Sequence, residues 1–106
     1  MISSTARAAA VDLKAAASNY ADSCADCHGQ SGKGDGPKAA ELKGAKPANY
    51  TDCAAMSKYT DDYLFNVIKN GGKSVGKSKD MGDFGKAYDD DEIRGLVAYV
   101  RSFCNK

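Results

Sequence analysis

The chain has 106 residues and a formal net charge of +1. The length suits a single domain spanning residues 1–106. The net charge lacks the strong positive excess that is typical of nucleic-acid-binding proteins. Leu, Ile, Val and Phe supply only 15 of the residues, a share below the roughly 20% under which a highly charged chain is disordered. Because the net charge is small and the helical patterns are clear, we expect a folded domain whose core is completed by a large apolar cofactor. No apolar run is long enough to span a membrane.

The first predicted helix covers residues 5–28, an alanine-rich segment with high helix propensity. Its apolar residues recur at helical spacing and form one stripe, made up of Leu13, Ala16, Ala17, Tyr20 and Cys24. Gly29 follows and is expected to end the helix. Residues 1–20 lack the continuous apolar centre of a signal peptide, so we expect the mature form of an exported protein.

The stripe leads into Cys24-Ala-Asp-Cys27-His28, a spacing typical of covalent c-type haem attachment. Residues three and four positions apart share one helix face, so this face would present two thiols and one imidazole. The thiols can add to the two vinyl groups of a haem, and the imidazole can bind the iron. His28 is the only histidine. Two alternatives stay open, namely half of a zinc site and a redox dithiol.

Two further helices are separated by glycine-rich loops at residues 29–49 and 71–88, with one helical turn expected at 39–43. The second helix is predicted near residues 60–70, with Thr60 as its N-cap. Its apolar face comprises Leu64, Phe65 and Ile68.

The third helix is predicted for residues 89–104, where Asp89 and Glu92 have the spacing of a capping box. One of its faces is apolar and comprises Ile93, Leu96, Val97, Val100 and Cys104. The sequence contains no convincing strand pattern, so the predicted fold class is all-α.

Motifs along most of the chain resemble those of the class I c-type cytochromes, in particular the small bacterial proteins with one haem. The resemblance rests on Cys24-Ala-Asp-Cys27-His28-Gly29, Gly34-Asp-Gly-Pro37, Lys46-Pro-Ala-Asn-Tyr50, Val67-Ile-Lys-Asn-Gly-Gly72, Met81 with Phe84-Gly85, and Leu96-Val-Ala-Tyr-Val100. It implies a cytochrome c fold, with three main helices and loops wrapped around one covalent haem. It also implies histidine–methionine ligation of the iron and one-electron transfer.

The resemblance assigns roles to single residues on the side of the haem that faces the histidine. Cys24 and Cys27 would form the thioethers, and His28 would bind the iron. The carbonyl oxygen of Pro37 would accept a hydrogen bond from the His28 ring. Tyr50 is expected near a haem propionate.

Methionines supply the candidates for the second axial ligand. Met81, in a glycine-rich loop, is the predicted ligand, and Met56 is the alternative. The family usually has proline directly after the axial methionine, whereas this chain has Gly82, which leaves the ligand loop freer. The resemblance also implies that Ala16 and Tyr20 in the first helix meet the last helix, around Leu96 and Tyr99.

The two remaining cysteines, Cys53 and Cys104, are most simply interpreted as a structural disulfide. Two buried thiols or an intermolecular link are the alternatives. A disulfide suits an oxidising compartment, which together with the export prediction indicates the periplasm.

We therefore predict a monomeric periplasmic electron carrier, not an enzyme, which passes electrons between larger membrane or periplasmic redox proteins. The alternatives are a haem enzyme or gas-binding protein with an open iron position, and a zinc or structural module. A positive face is expected to dock on an acidic surface of the partner, with a merely solvated lysine surface as the alternative. Nine lysines are assigned to the two loops, against four acids: Lys33, Lys38, Lys43, Lys46, Lys69, Lys73, Lys77, Lys79 and Lys86 against Asp35, Glu41, Asp80 and Asp83.

Overall fold

The computed structural model describes residues 12–41, 47–75 and 81–104, and these contain five α-helices and no strand. The all-α prediction is therefore confirmed. The helices are α1 (Leu13–Ser23), α2 (Ala25–His28), α3 (Cys53–Met56), α4 (Asp61–Asn70) and α5 (Asp90–Ser102). Short 3₁₀ helices cover Ala39–Glu41 and Gly72–Val75. Within the described ranges, no helix combines the length and the apolar character needed to cross a membrane.

The predicted first helix is divided at Cys24, which ends α1 and precedes α2. Hydrogen bonds of the helical type still pass through this joint. The Cys24 N–H donates to the Tyr20 carbonyl oxygen over 2.8 Å, and the His28 N–H donates to the Cys24 carbonyl oxygen over 2.9 Å. Gly29, with a φ of 85°, ends α2 as predicted. Residues 5–11 of the predicted helix lie outside the described residues.

The core forms where α1 packs against α5. Ala16 and Tyr20 of α1 are buried, and the Tyr20 ring lies 5.1 Å from the Tyr99 ring between centroids, as the family resemblance implied. Ile93 and Leu96 of α5 are almost wholly buried, and each contributes about 1.5–3 kcal/mol by leaving water. Leu13 was predicted to belong to the apolar stripe, but it lies at the start of α1 and is 50% exposed.

Side-chain caps fix the starts of α4 and α5. The Thr60 hydroxyl oxygen accepts a hydrogen bond from the Tyr63 N–H over 3.0 Å. Asp89 and Glu92 form the predicted capping box, with reciprocal bonds of 2.8 and 2.9 Å. The predicted apolar face of α4 is also present, with Leu64 and Ile68 buried and Phe65 partly buried.

The short helix α3 was not predicted from the sequence. Its first turn is capped by Asp52, whose carboxylate accepts from the Ala55 N–H over 3.2 Å. From α5, the Arg101 guanidinium donates to the carbonyl oxygens of Met56 and Tyr59 and to the Asp61 carboxylate. These bonds hold the chain between α3 and α4 against the last helix.

Candidate functional site

The helix that carries Cys27 and His28 is held at its C-terminal end by the loop that follows it. The backbone N–H groups of Gly34, Gly36 and Lys38 donate to the carbonyl oxygens of His28, Cys27 and Asp26, over 2.8, 3.0 and 2.7 Å. A helix end leaves its last carbonyl groups without partners inside the helix. The loop supplies those partners, so the helix is fixed although it has only four residues.

Gly36 allows this loop to approach α2 so closely. A Cβ atom at this position would collide with the carbonyl oxygens of Ala25 and Asp26, so only glycine fits without displacement of backbone. The Gly34-Asp-Gly-Pro37 motif is thus explained by backbone packing against the helix that carries the thiol and imidazole groups.

His28 is buried at 8% exposure, with a polar partner at each ring nitrogen. Its Nδ1 atom lies 3.3 Å from the Ala48 carbonyl oxygen. A carbonyl oxygen only accepts, so Nδ1 carries the proton and Nε2 keeps its lone pair. The Tyr50 hydroxyl donates to Nε2 over 3.2 Å. Burial lowers the pKa of His28, and the hydrogen bond to Ala48 opposes this shift in part.

The partner of Nδ1 in this structure is Ala48 and not Pro37. Pro37 is exposed in the loop that covers α2, and we expected its carbonyl oxygen at the His28 ring. Ala48 belongs to the segment that returns across the site after residues 42–46, and its carbonyl oxygen is the one within hydrogen-bonding distance. The direct role of Pro37 remains a prediction.

Tyr50 packs on the His28 ring with centroids 4.6 Å apart and an angle of 21° between planes. Its side chain is buried, and burial raises the pKa of its phenol well above the usual range. Tyr50 therefore lies directly against His28, whereas its expected contact with a haem propionate stays a prediction.

The cysteines of the motif, Cys24 and Cys27, are both free and partly buried. Burial, with a smaller contribution from the charge of Cys27, raises the pKa of Cys24 to about 12. Cys24 is therefore a neutral thiol at physiological pH.

Met56 and Met81 both contribute to the apolar cluster beside the motif. Met56 in α3 is buried at 3% exposure, and Met81 is partly buried against the same cluster. The segment after Met81 is fixed on the end of α4, because the N–H groups of Phe84 and Gly85 donate to the carbonyl oxygens of Ile68 and Lys69. Sequence and packing leave Met81 as the predicted ligand and Met56 as the alternative.

This donor set fits a haem. It combines two thiols, methionine sulfur atoms and a neutral imidazole whose Nε2 lone pair would bind the iron in place of the Tyr50 hydroxyl, all beside one apolar cluster. By contrast, the described ranges contain no group of three or more His, Cys, Asp or Glu side chains that could hold a metal ion alone. A zinc site would need such a group.

Cys53 and Cys104 lie at the outer side of the same region. Their Cα atoms are 5.5 Å apart and their sulfur atoms are in bonding contact, which is the arrangement of a disulfide. The bridge would join the start of α3 to the end of α5, two segments that are 51 residues apart in sequence.

Comparison with known proteins agrees with this site. Residues 11–100 match the sequence profile of a family described as cytochrome c oxidase, cbb3-type, subunit III. Among solved structures, the chain is similar to one named KustC0563 c-type cytochrome, with a TM-score of 0.66 and 25% sequence identity. The alignment covers 83% of this chain and 95% of that one. The search of curated proteins gave no match.

The structural match confirms the cytochrome c fold expected from the motifs. The profile covers well over half of the sequence and includes Cys24, Cys27 and His28. This chain therefore belongs to the c-type cytochrome family described as cytochrome c oxidase, cbb3-type, subunit III.

Proposed function

We propose that the protein is a periplasmic one-electron carrier that holds one haem c through thioether bonds from Cys24 and Cys27. His28 and Met81 are its axial ligands. Family membership supports a haem-based electron-transfer protein. The observation that carries the proposal is the neutral His28, with its lone pair at Nε2, on the same short helix as a free thiol and one turn from a second. When bound, the haem supplies the redox step by cycling its iron between two oxidation states.

The residues around His28 orient and tune the ligand. The Ala48 carbonyl oxygen holds the proton on Nδ1 and makes the imidazole a better electron donor. The buried apolar cluster around Leu64, Ile68 and Leu96 would keep water away from the haem. A methionine ligand favours ferrous iron compared with a second histidine and so raises the potential.

Haem attachment is tested first, because every other assignment depends on it. The purified protein should retain haem on a denaturing gel and should have an intact mass that includes one haem. The Cys24→Ala, Cys27→Ala variant should lose both signals. A colourless protein with two free thiols at these positions would refute the proposal.

The axial ligand is tested with a matched pair of methionine variants. Met81→Ala should remove the absorption band of methionine–iron ligation in the ferric protein, lower the potential and let cyanide or imidazole bind. Met56→Ala should keep the band, because Met56 is assigned to packing in α3. The opposite pattern would reassign the ligand to Met56.

A haem enzyme or gas-binding protein with an open iron position is the second candidate, and one feature near Met81 supports it. The exposed Gly82 directly follows Met81, where the family usually has proline, so the backbone beside the ligand is less restricted than proline would make it. A methionine held by such a loop is easier to displace from the iron. Rapid cyanide binding by the unmodified ferric protein at neutral pH would favour this candidate, whereas a slow reaction would favour the carrier.

A further inference from the structure

The segment at residues 48–50 holds the His28 ring from two sides. The Ala48 carbonyl oxygen lies at Nδ1, and the Tyr50 ring stacks on the imidazole, with its hydroxyl near Nε2. The orientation of His28 therefore depends on how firmly a short irregular segment is held. This segment contains no regular helix between its start and α3.

A few tie points hold that segment to the rest of the molecule. The Tyr50 N–H donates to the Gly32 carbonyl oxygen over 2.6 Å, which joins it to the loop that covers α2. The Asn49 side chain accepts a hydrogen bond from the Thr51 N–H over 2.9 Å, but this bond is internal to the segment. The covalent tie is the bridge between Cys53 and Cys104.

The bridge lies immediately beside the rings that pack on His28. Cys53 is three residues after Tyr50, and Cys104 directly follows Phe103. The Tyr50 and Phe103 rings are stacked, with centroids 6.2 Å apart and 15° between planes. The disulfide thus closes a loop of contacts through Phe103 and Tyr50, and the His28 ring stacks on Tyr50 beside this loop.

We propose that the Cys53–Cys104 disulfide is a positioning element for His28, which keeps Ala48 and Tyr50 against the imidazole. Its contribution goes beyond the general stabilisation expected of any disulfide. Without the bond, the segment keeps one described backbone tie, at Gly32, and the hydrogen bond at Nδ1 opens more often. The proposal rests on the proposed function, because His28 is treated as the iron ligand.

The test compares the haem-loaded protein with its Cys53→Ala, Cys104→Ala variant. The first readout is the solvent exchange rate of the His28 Nδ1 proton by NMR, which should rise at least several-fold in the variant. The second is the reduction potential, which should rise, because a weaker bond to Ala48 makes the imidazole a poorer donor to ferric iron. Wild-type protein whose bridge has been reduced and alkylated provides the same comparison if the variant fails to fold.

Asp89→Ala is the control for lost stability, since it removes the cap at the opposite end of α5. It should leave both readouts unchanged. If the cysteine variant loses stability but keeps the exchange rate and the potential of the wild type, the bridge is only structural and the proposal is overturned. Alkylation of Cys53 and Cys104 in unreduced protein would also overturn it. A failure of haem staining would instead refute the proposed function, which separates the two outcomes.

Discussion

The hydroxyl of Tyr20 donates a hydrogen bond to the carbonyl oxygen of Gly29 over 2.6 Å. Tyr20 lies in α1, one helical turn before Cys24, and Gly29 directly follows His28. The same side chain, only 1% exposed, packs its ring against Tyr99 of α5. One residue therefore connects the packing of the first and last helices with the end of the Cys24–His28 motif.

We expect Tyr20→Phe to lower the free energy of unfolding by about 1 kcal/mol, the usual net value of one hydrogen bond. The loss should not be larger, because the Gly29 carbonyl oxygen also accepts from the Gly32 N–H. Denaturant unfolding of the haem-loaded protein measures the change. Tyr63→Phe is the control, since the Tyr63 ring stacks on Tyr59 and its hydroxyl has no hydrogen-bond partner in the described ranges. Equal losses in the two variants would contradict the assigned role of the hydroxyl.

The buried phenol of Tyr20 also predicts how stability changes with pH. Burial, and to a smaller extent the charges of Cys24 and Tyr99, raise its pKa above the ordinary 10.0. In the alkaline range the unfolded chain then binds fewer protons than the folded chain, so stability falls as pH rises. The contribution is complete below pH 10 and is lost above it. Wild-type protein should therefore lose stability more steeply above pH 10 than Tyr20→Phe, and parallel curves would contradict this prediction.

The features that were predictable from sequence are those that depend on near neighbours in the chain. The caps at Thr60 and Asp89 each need only a residue three positions away, and both are present. The partner of His28 is different, because Ala48 reaches the ring from 20 residues away through its backbone oxygen. A backbone carbonyl has no sequence signature, so the contact of Ala48 with His28 could be found only from the fold.

The short helix α3 and the exposure of Leu13 were missed for related reasons. Four residues are too few for a periodic pattern, so only the Asp52 cap could have indicated α3. Leu13 fits the apolar spacing, but it lies in the first turn of α1 and is half exposed. The spacing of apolar residues indicates which face of a helix is apolar. How many turns of that face are buried depends on the helix that packs against it.

Two glycines beside Met81, Gly71 and Gly82, are expected to respond in opposite ways to substitution by alanine. Gly82 does not have a positive φ, and an added Cβ atom there meets nothing within 4 Å. Gly82→Ala should therefore stabilise the protein by about 0.4–1 kcal/mol, because it restricts the unfolded chain. Thermal unfolding of the haem-loaded protein measures the change.

Gly71→Ala is the opposite member of this pair. Gly71 has a φ of 91°, and an added Cβ atom would lie 3.1 Å from the Met81 carbonyl oxygen. The substitution should destabilise the protein by roughly 1 kcal/mol or more, because alanine is strained in this conformation. It should also disturb the methionine–iron absorption band if Met81 is the ligand. A stabilised Gly71→Ala variant would show that the Met81 segment adapts freely.

The shortage of large apolar residues predicts that folding depends on haem. Leu, Ile, Val and Phe supply 15 of 106 residues, which is few for a domain of this size. We expect the Cys24→Ala, Cys27→Ala variant, produced without haem, to be largely unfolded at room temperature. Circular dichroism during heating is the measurement. A cooperative thermal transition in the haem-free chain would contradict the prediction.

The structure describes five of the nine lysines assigned to the predicted positive face. Lys33, Lys38, Lys73 and Lys86 are exposed, and Lys38 lies 4.0 Å from the Asp26 carboxylate. Lys69 belongs to α4 and not to a loop, and its charge is offset by Asp90 at 3.0 Å. The other predicted members, Lys43, Lys46, Lys77 and Lys79, lie outside the described residues.

If these lysines steer partners to the haem edge, anionic reactants should show it most directly. The rate of oxidation of the ferrous protein by ferricyanide, an anion, should fall as salt rises, because ions screen charges over about 10 Å at 0.1 M. Lys33→Gln should lower the rate at low salt and flatten the salt dependence. Lys14→Gln is the control, since Lys14 is also exposed but belongs to α1 and to neither loop. Both variants remove one positive charge, so an equal effect would show that the rate depends on net charge and not on the position of the lysine. A rate that is independent of salt would leave the lysines without a steering role, and docking would then depend on apolar surface around the haem edge.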